Sequence, residues 1–308
     1  MRSFRRRDAS HRDVTAIAVE SNPDSRMEQR KLFEEAHRRY WDELESRRPL
    51  GWIPLYEMVD ELRKGKWPPF IDMMVSDELQ ETINLINAWR GQLLDWSVWA
   101  TVLPTFDEHD RLTIQMQQGD PLAFACMFQA SAMRDRFCMI ASNATHQANL
   151  VAVSGYKDWL EQDDLPPGRF LSRSKKEEQL ERLGSGWTTF GELQKQLQSI
   201  NTANYRQATR NFRNHASHAI APRLEVGYTN TVTRYRTPFE TMVPQPDGSF
   251  KLVADPKRMV VAYGFGGASP LKNEEMVTAT QEQHGVAVAA LAAYEALLCE
   301  ILGAIGTN

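Results

Sequence analysis

A mainly α-helical fold, a helical bundle with additional N-terminal helices and a small antiparallel β insert, follows from three observations on the 308 residues. Apolar residues recur at helical spacing through most of the chain. The stretch from Leu122 to Val153 contains neither glycine nor proline, long enough for a helix that crosses a whole domain. Only between about residues 224 and 265 does the pattern turn to Val, Thr and Tyr around a proline- and glycine-containing turn.

The composition, 42% hydrophobic and 25% charged, is that of an ordinary globular chain, long enough for one large domain or two modest ones. A net charge of −4 argues against broad, salt-driven binding to nucleic acid, though it leaves room for a local basic site. The three cysteines form no CxxC pair and stand in apolar, helix-like surroundings. Buried free thiols and a cytoplasmic location are the expectation.

Residues 1–26 form a basic arm, with five arginines in the first twelve positions and no apolar segment of signal-peptide type. Disorder is expected there; an arm that touches phosphates stays open. Residues 27–104 are expected to be helical and to pack on the rest. Leu32, Ala36, Tyr40 and Leu44 recur every four positions in a helix from Met27 to about Arg48, broken by Pro49, Gly51 and Pro54. A short helix spans about Leu55–Arg63, and Trp67-Pro68-Pro69 makes a turn. Ser76 with Asp77 and Glu78 reads as the start of a helix whose stripe Leu79, Ile83, Ile86, Leu93 and Trp96 runs to Val102. Trp89, Trp96 and Trp99 are read as core.

Asp107-Glu108-His109-Asp110 follows a proline and reads as a helix N-terminus, where the helix dipole favours acids. No second ligand arrives at helical spacing, so neither a metal nor another cofactor is expected. Asp120-Pro121 opens the long helix. A loop at Asp163–Gly168, helices at about Lys175–Leu183 and Thr188–Ile200, and a further helix from Tyr205 to just before Pro222 follow. The β insert is read as Leu224–Thr237, Phe250–Ala254 and Met259–Phe265, with a turn at Pro244–Gly248. Gly264, Gly266 and Gly267 lead toward a helix capped near Asn273; with no GK[ST] and two glutamates in its first turn, it is a poor phosphate loop. In the apolar run Val286–Ile305, Glu295 and Glu300 make a buried helix a better reading than a membrane span, so no membrane partner is expected.

The segment Tyr205–His218 carries the chemistry. On a continuous helix Tyr205, Ala208, Phe212, Ala216 and Ala219 face inward, and Arg206, Arg210, Asn214 and His218 form an i, i+4 ladder on the other side. Arg213 sits beside that ladder, about 140° from His218. The two converge only if the helix ends near His218 or if two copies of it face each other. Between Arg206 and Arg236 stand Arg206, Arg210, Arg213, Arg223, Arg234 and Arg236 against one acid, Glu225, with Tyr205, Tyr228 and Tyr235 interleaved. Such a run suits phosphate oxygens and single-stranded bases. A structural alternative is that the Arg-Asn-His cluster caps exposed carbonyls at a helix end.

At Arg213-Asn214-His215-Ala216-Ser217-His218 the sequence resembles the HEPN superfamily, whose members carry an Arg, a polar residue often Asn, and a His four positions after it. The resemblance covers about residues 105–308; the N-terminal helices and the β insert go beyond a minimal four-helix unit. It implies a metal-independent endoribonuclease working at a homodimer interface. His218 would be the general base on a ribose 2′-OH or the acid to the leaving 5′-oxygen, since histidine alone exchanges protons near neutral pH unperturbed. Arg213 would stabilise the pentacoordinate phosphate, and Asn214 would position the phosphate or the imidazole. His215 ranks second to His218 because it falls toward the core-flanking side. Arg206, Arg210, His215, Arg223, Tyr228, Arg234 and Arg236 would contact RNA. The products would be a 2′,3′-cyclic phosphate and a 5′-hydroxyl. The resemblance further implies a bacterial toxin–antitoxin or phage-defence setting with an antitoxin or other regulatory protein as partner. A non-catalytic HEPN-like RNA-binding or scaffold protein is the alternative.

Overall fold

The computed structural model describes residues 23–47 and 56–306. Residues 1–22 of the basic arm and the break at Pro49, Gly51 and Pro54 lie outside the described residues. The remainder of the arm, from Pro23, already belongs to the first helix.

Among the described residues the chain is mainly helical with one two-stranded antiparallel sheet. In order come α1 (Pro23–Ser46), α2 (Glu57–Leu62), α3 (Ile71–Val102), α4 (Glu108–Ile114), α5 (Asp120–Ala152), α6 (Arg173–Gly184), α7 (Phe190–Ser199), α8 (Ala203–Ala208), α9 (Phe212–His218), β1 (Thr229–Pro244), β2 (Phe250–Ala268) and α10 (Asn273–Ile305). Three long helices, α3, α5 and α10, pack mutually around the main core. Ile83, Ile86, Trp89 and Trp96 of α3 meet Met133, Phe137 and Ile140 of α5 and Leu291, Tyr294, Leu297 and Ile301 of α10 in one cluster. Thus α3, although N-terminal to residue 105, is part of the central core. A smaller cluster joins Ala36 and Tyr40 of α1 to Val98, Trp99 and Val102 of α3, where Tyr40 and Trp99 stack with centroids 4.9 Å apart.

Helix α3 begins at Ile71 rather than at Ser76. Phe70, following Pro68-Pro69, takes a left-handed conformation (φ 69°) and turns the chain into the helix, while the Ser76 hydroxyl donates back to the Met73 carbonyl at 3.1 Å. Asp107 caps α4 by accepting from the Asp110 amide at 3.0 Å. A π-helical turn at Gln115–Gly119 then joins α4 to α5. Its glycine is required: a Cβ on Gly119 would stand 2.7 Å from the Gln115 amide, which donates to Asp120 at 2.6 Å. That amide also accepts from Asn273 at 2.7 Å, and Asn273 accepts from the Trp96 indole at 3.1 Å. This buried relay ties α3, the π turn and α10 together.

The β insert is one long hairpin, and Gly264, Gly266 and Gly267 belong to β2 instead of leading into α10. Cys126 and Cys138 are buried, whereas Cys299 is exposed on α10. Helix α10 is long and apolar enough to cross a membrane, yet its Leu291, Tyr294, Leu297 and Ile301 are fully buried among other helices.

Candidate functional site

The expected single helix over 205–221 is two short ones. α8 closes at Ala208, where Thr209 turns its hydroxyl onto the Tyr205 carbonyl at 2.9 Å and so competes with the next helical bond. Arg210 and Asn211 follow with φ of 48° and 53°, in the left-handed region, and α9 restarts at Phe212. Asparagine tolerates that conformation better than most residues; Arg210 is held in it by donating its guanidinium to the Ser269 carbonyl. The four-residue ladder is therefore broken after Arg206. Asn214 and His218 keep their i, i+4 relation within α9, and that helix ends at His218.

Inward-facing positions follow the same division. Tyr205 and Phe212 are buried, and Ala216 packs partly against the core, but Ala208 and Ala219 are exposed. Tyr205 meets the Thr280 hydroxyl at 3.4 Å, and burial pushes its phenol up to about 12. Phe212 sets its ring edge against Phe124 of α5, centroids 5.4 Å apart, and Phe124 stacks on Phe128. These aromatic contacts hold the seven-residue α9, too short to persist alone, on the face of α5.

Beside this anchor lies an open cavity of about 310 Å³, formed between α5, the start of α6 and the α8–α9 corner. Arg206, Arg213, Asn211 and Asn214 line it together with Arg173 and Ser131. Arg173 holds Asp135 through two 2.8 Å hydrogen bonds and donates to the Ser131 hydroxyl at 2.7 Å, so its charge is compensated. Arg206 donates to the Asn201 carbonyl at 2.6 Å and has no carboxylate partner among the described residues. Arg213 makes neither hydrogen bond nor ion pair with any described side chain and is exposed. Two uncompensated guanidiniums on one cavity favour an anion of phosphate size.

The structure brings Arg206, Arg213 and Asn214 to this cavity and leaves other expected residues elsewhere. His215 and His218 are exposed on α9 and line no part of it; the core-flanking position expected for His215 is not found, because α9 rests on Phe212 and Ala216. Arg210 is engaged with Ser269. Arg223 and Tyr228 stand exposed at the base of the hairpin, and Arg234 and Arg236 lie along β1. The six arginines that crowd the sequence are thus spread over different elements. Arg173 and Asn201 were missed in the sequence because their approach to α9 depends on how α6 and α7 dock on α5; no local pattern marks it. Set against family models, curated proteins and solved structures, the chain gives no match.

Proposed function

We propose that this chain is a metal-independent, HEPN-type endoribonuclease that acts as a cytoplasmic homodimer. The observation that carries the reading is the placement of Arg213 and Asn214, with Arg206, on one cavity at the start of α9, while His218 ends that helix with an exposed imidazole that has no hydrogen-bond partner among the described residues. A phosphate held by Arg213 and Arg206 would be oriented by Asn214. The proton transfers fall to His218, since an exposed imidazole can reach a ribose lying across the helix end. Arg213 and His218 point apart on a single α9, so a second copy of the helix supplies the missing half of the site. The substrate is single-stranded or loop RNA, and an antitoxin-like protein would restrain it.

The test is cleavage of total RNA and of tRNA in EDTA by wild type, His218→Ala and Arg213→Ala, with end-group analysis for 2′,3′-cyclic phosphates. Cleavage lost in both variants supports the mechanism; equal cleavage by all three proteins sinks it. A second reading, a non-cleaving RNA-binding or scaffold protein, is favoured by the histidines standing outside the cavity. It predicts RNA binding that weakens in Arg213→Ala and Arg206→Ala without strand cleavage in any variant.

A further inference from the structure

A second cavity, of about 250 Å³, is formed by one face of α5, the segment that joins α5 to α6, and the first turns of α6. It shares no lining residue with the cavity of Arg206 and Arg213. The joining segment is fastened at both ends. Near one end the Glu161 carboxylate accepts two hydrogen bonds from the Arg182 guanidinium, at 2.9 and 2.8 Å. At the other, Arg173 holds Asp135 of α5 at 2.8 Å. The cavity is therefore a built feature of the fold. Two buried polar side chains line it without being fully paired. Ser142 of α5 is 3% exposed, yet its hydroxyl makes no hydrogen bond with any described residue. Gln179 of α6 is also buried; its Oε1 accepts from the Glu161 amide at 3.0 Å, which leaves the NH₂ end as a donor without a partner among the described residues. Buried polar groups are nearly always hydrogen-bonded, so two incompletely paired ones on one cavity point to a polar ligand.

We propose that this cavity binds a small aromatic carboxylate. Its charge selects an anion: Arg169 and Lys176 line it, no Asp or Glu does, and neither cation has a carboxylate partner among the described residues. The rest of the lining is mainly apolar, with Met139, Phe170 and Leu171 beside the polar groups. Phe170 is 89% exposed and meets no other ring among the described residues, so a planar ring laid on it would gain stacking and edge contacts that water cannot supply. Met139 offers a thioether to the same ring. A carboxylate is the complementary head group, since its two oxygens accept several hydrogen bonds at once, from the Arg169 fork, the Lys176 ammonium, the Ser142 hydroxyl and the Gln179 amide. A bare phosphate would use those donors but leave the apolar wall wet, and an uncharged aromatic would leave both cations unpaired. Size sets the class further. A volume of about 250 Å³ is the room of roughly eight water molecules, enough for one ring and its carboxyl group. It falls short of the range of drug-sized ligand pockets.

The site goes beyond the ribonuclease reading, and its test needs no RNA. Isothermal titration calorimetry of the full chain with sodium benzoate should show saturable binding, with a dissociation constant of ~1 mM or tighter. Acetate, which has no ring, and benzyl alcohol, which has no charge, should each bind about tenfold more weakly or worse. The double variant Arg169→Gln/Lys176→Gln should weaken benzoate binding about tenfold or more. Phe170→Ala should weaken it roughly two- to tenfold. Arg169 and Phe170 are exposed and Lys176 is half-buried, so these variants keep the wild-type thermal melt, and a loss of binding in them is not a loss of fold. Arg206→Ala/Arg213→Ala, on the other cavity, should bind benzoate as wild type does. The absence of saturable binding, equal affinity for benzoate and benzyl alcohol, full affinity in Arg169→Gln/Lys176→Gln, or a loss of benzoate binding in Arg206→Ala/Arg213→Ala would each overturn the proposal.

Discussion

Replacing Phe212 by alanine should melt the helix that carries Arg213, Asn214 and His218 while the three-helix core stays folded. Phe212 is 2% exposed and sets its ring edge on Phe124 at 5.4 Å. Truncating a buried phenylalanine costs about 3–5 kcal/mol, of which the aromatic pair accounts for about 0.5–1.5 kcal/mol. Helix α9 cannot absorb that loss. It has seven residues, against the ~12–15 that an isolated helix needs even for marginal stability, and the other inward contact is the small Ala216. Its N-terminus is also held by two left-handed residues, Arg210 and Asn211, a conformation that costs free energy unless surrounding contacts impose it. The loss should therefore appear as local opening. Amide hydrogen exchange in Phe212→Ala should accelerate over residues 213–218 by two orders of magnitude or more, given about 3 kcal/mol or more of lost anchoring. Amides in α3, α5 and α10 should retain most of their protection, and Phe212→Leu should be intermediate. Unchanged exchange in α9, or an equal loss of protection throughout the chain, would refute the argument that tertiary contact through this one ring maintains the helix.

Asn273→Ala removes the shared partner of Trp96 and Gln115 and leaves an indole N–H and an amide oxygen buried without hydrogen bonds. Chemical denaturation should show a loss of about 2–5 kcal/mol, near twice the cost of one orphaned group; a loss within the range of a surface substitution would mean that the relay contributes nothing. Burial pushes the Glu295 carboxyl from 4.5 up to about 7, and its Oε1 has no hydrogen-bond partner. Because the folded-state value is the raised one, the neutral acid is the form that folding favours. Its contribution is fully present below about pH 4.5 and is lost as pH rises through about 7. Glu295→Gln should thus stabilise the chain by about 1–2 kcal/mol at pH 8, discounted for partial exposure, and change little at pH 4.5. The difference between thermal melts at the two pH values checks it, and a pH-independent effect would contradict it.

The helical class and most helix boundaries were legible because burial along a helix writes an i, i+4 pattern into the sequence. Leu79, Ile83, Ile86 and Trp96 were read as one stripe and are all fully buried. Asp107 was read as a helix start and caps one. The strands were legible in composition, but their extent was not: glycines at 264, 266 and 267 look like breakers, yet all three lie in β2, where Gly264 and Gly267 make room for the rings of Tyr235 and Tyr228. Arg213, Asn214 and His218 were expected on a helix and lie on α9, but the wheel that related them to Arg206 and Arg210 assumed a continuous helix. Nothing in Thr209-Arg210-Asn211 forbids one. Thr209 weakens the helix locally, and the corner is then held by Ser269, nearly sixty residues later, receiving the Arg210 guanidinium.

By itself, then, the sequence determined which segments are helical, which side chains form the core, and where a cluster of cationic and imidazole groups would lie along the chain. These properties follow from near-neighbour periodicity, which survives whatever the rest of the molecule does. The tertiary structure alone decided that α8 and α9 meet at a corner and that Arg173 closes a cavity with Arg206 and Arg213. It also decided that the relay from Trp96 to Asn273 locks three elements together and that Ser142, Phe170 and Lys176 line one cavity. Each of these depends on groups far apart in sequence being brought within hydrogen-bonding or van der Waals reach, and local pattern carries no record of that distance.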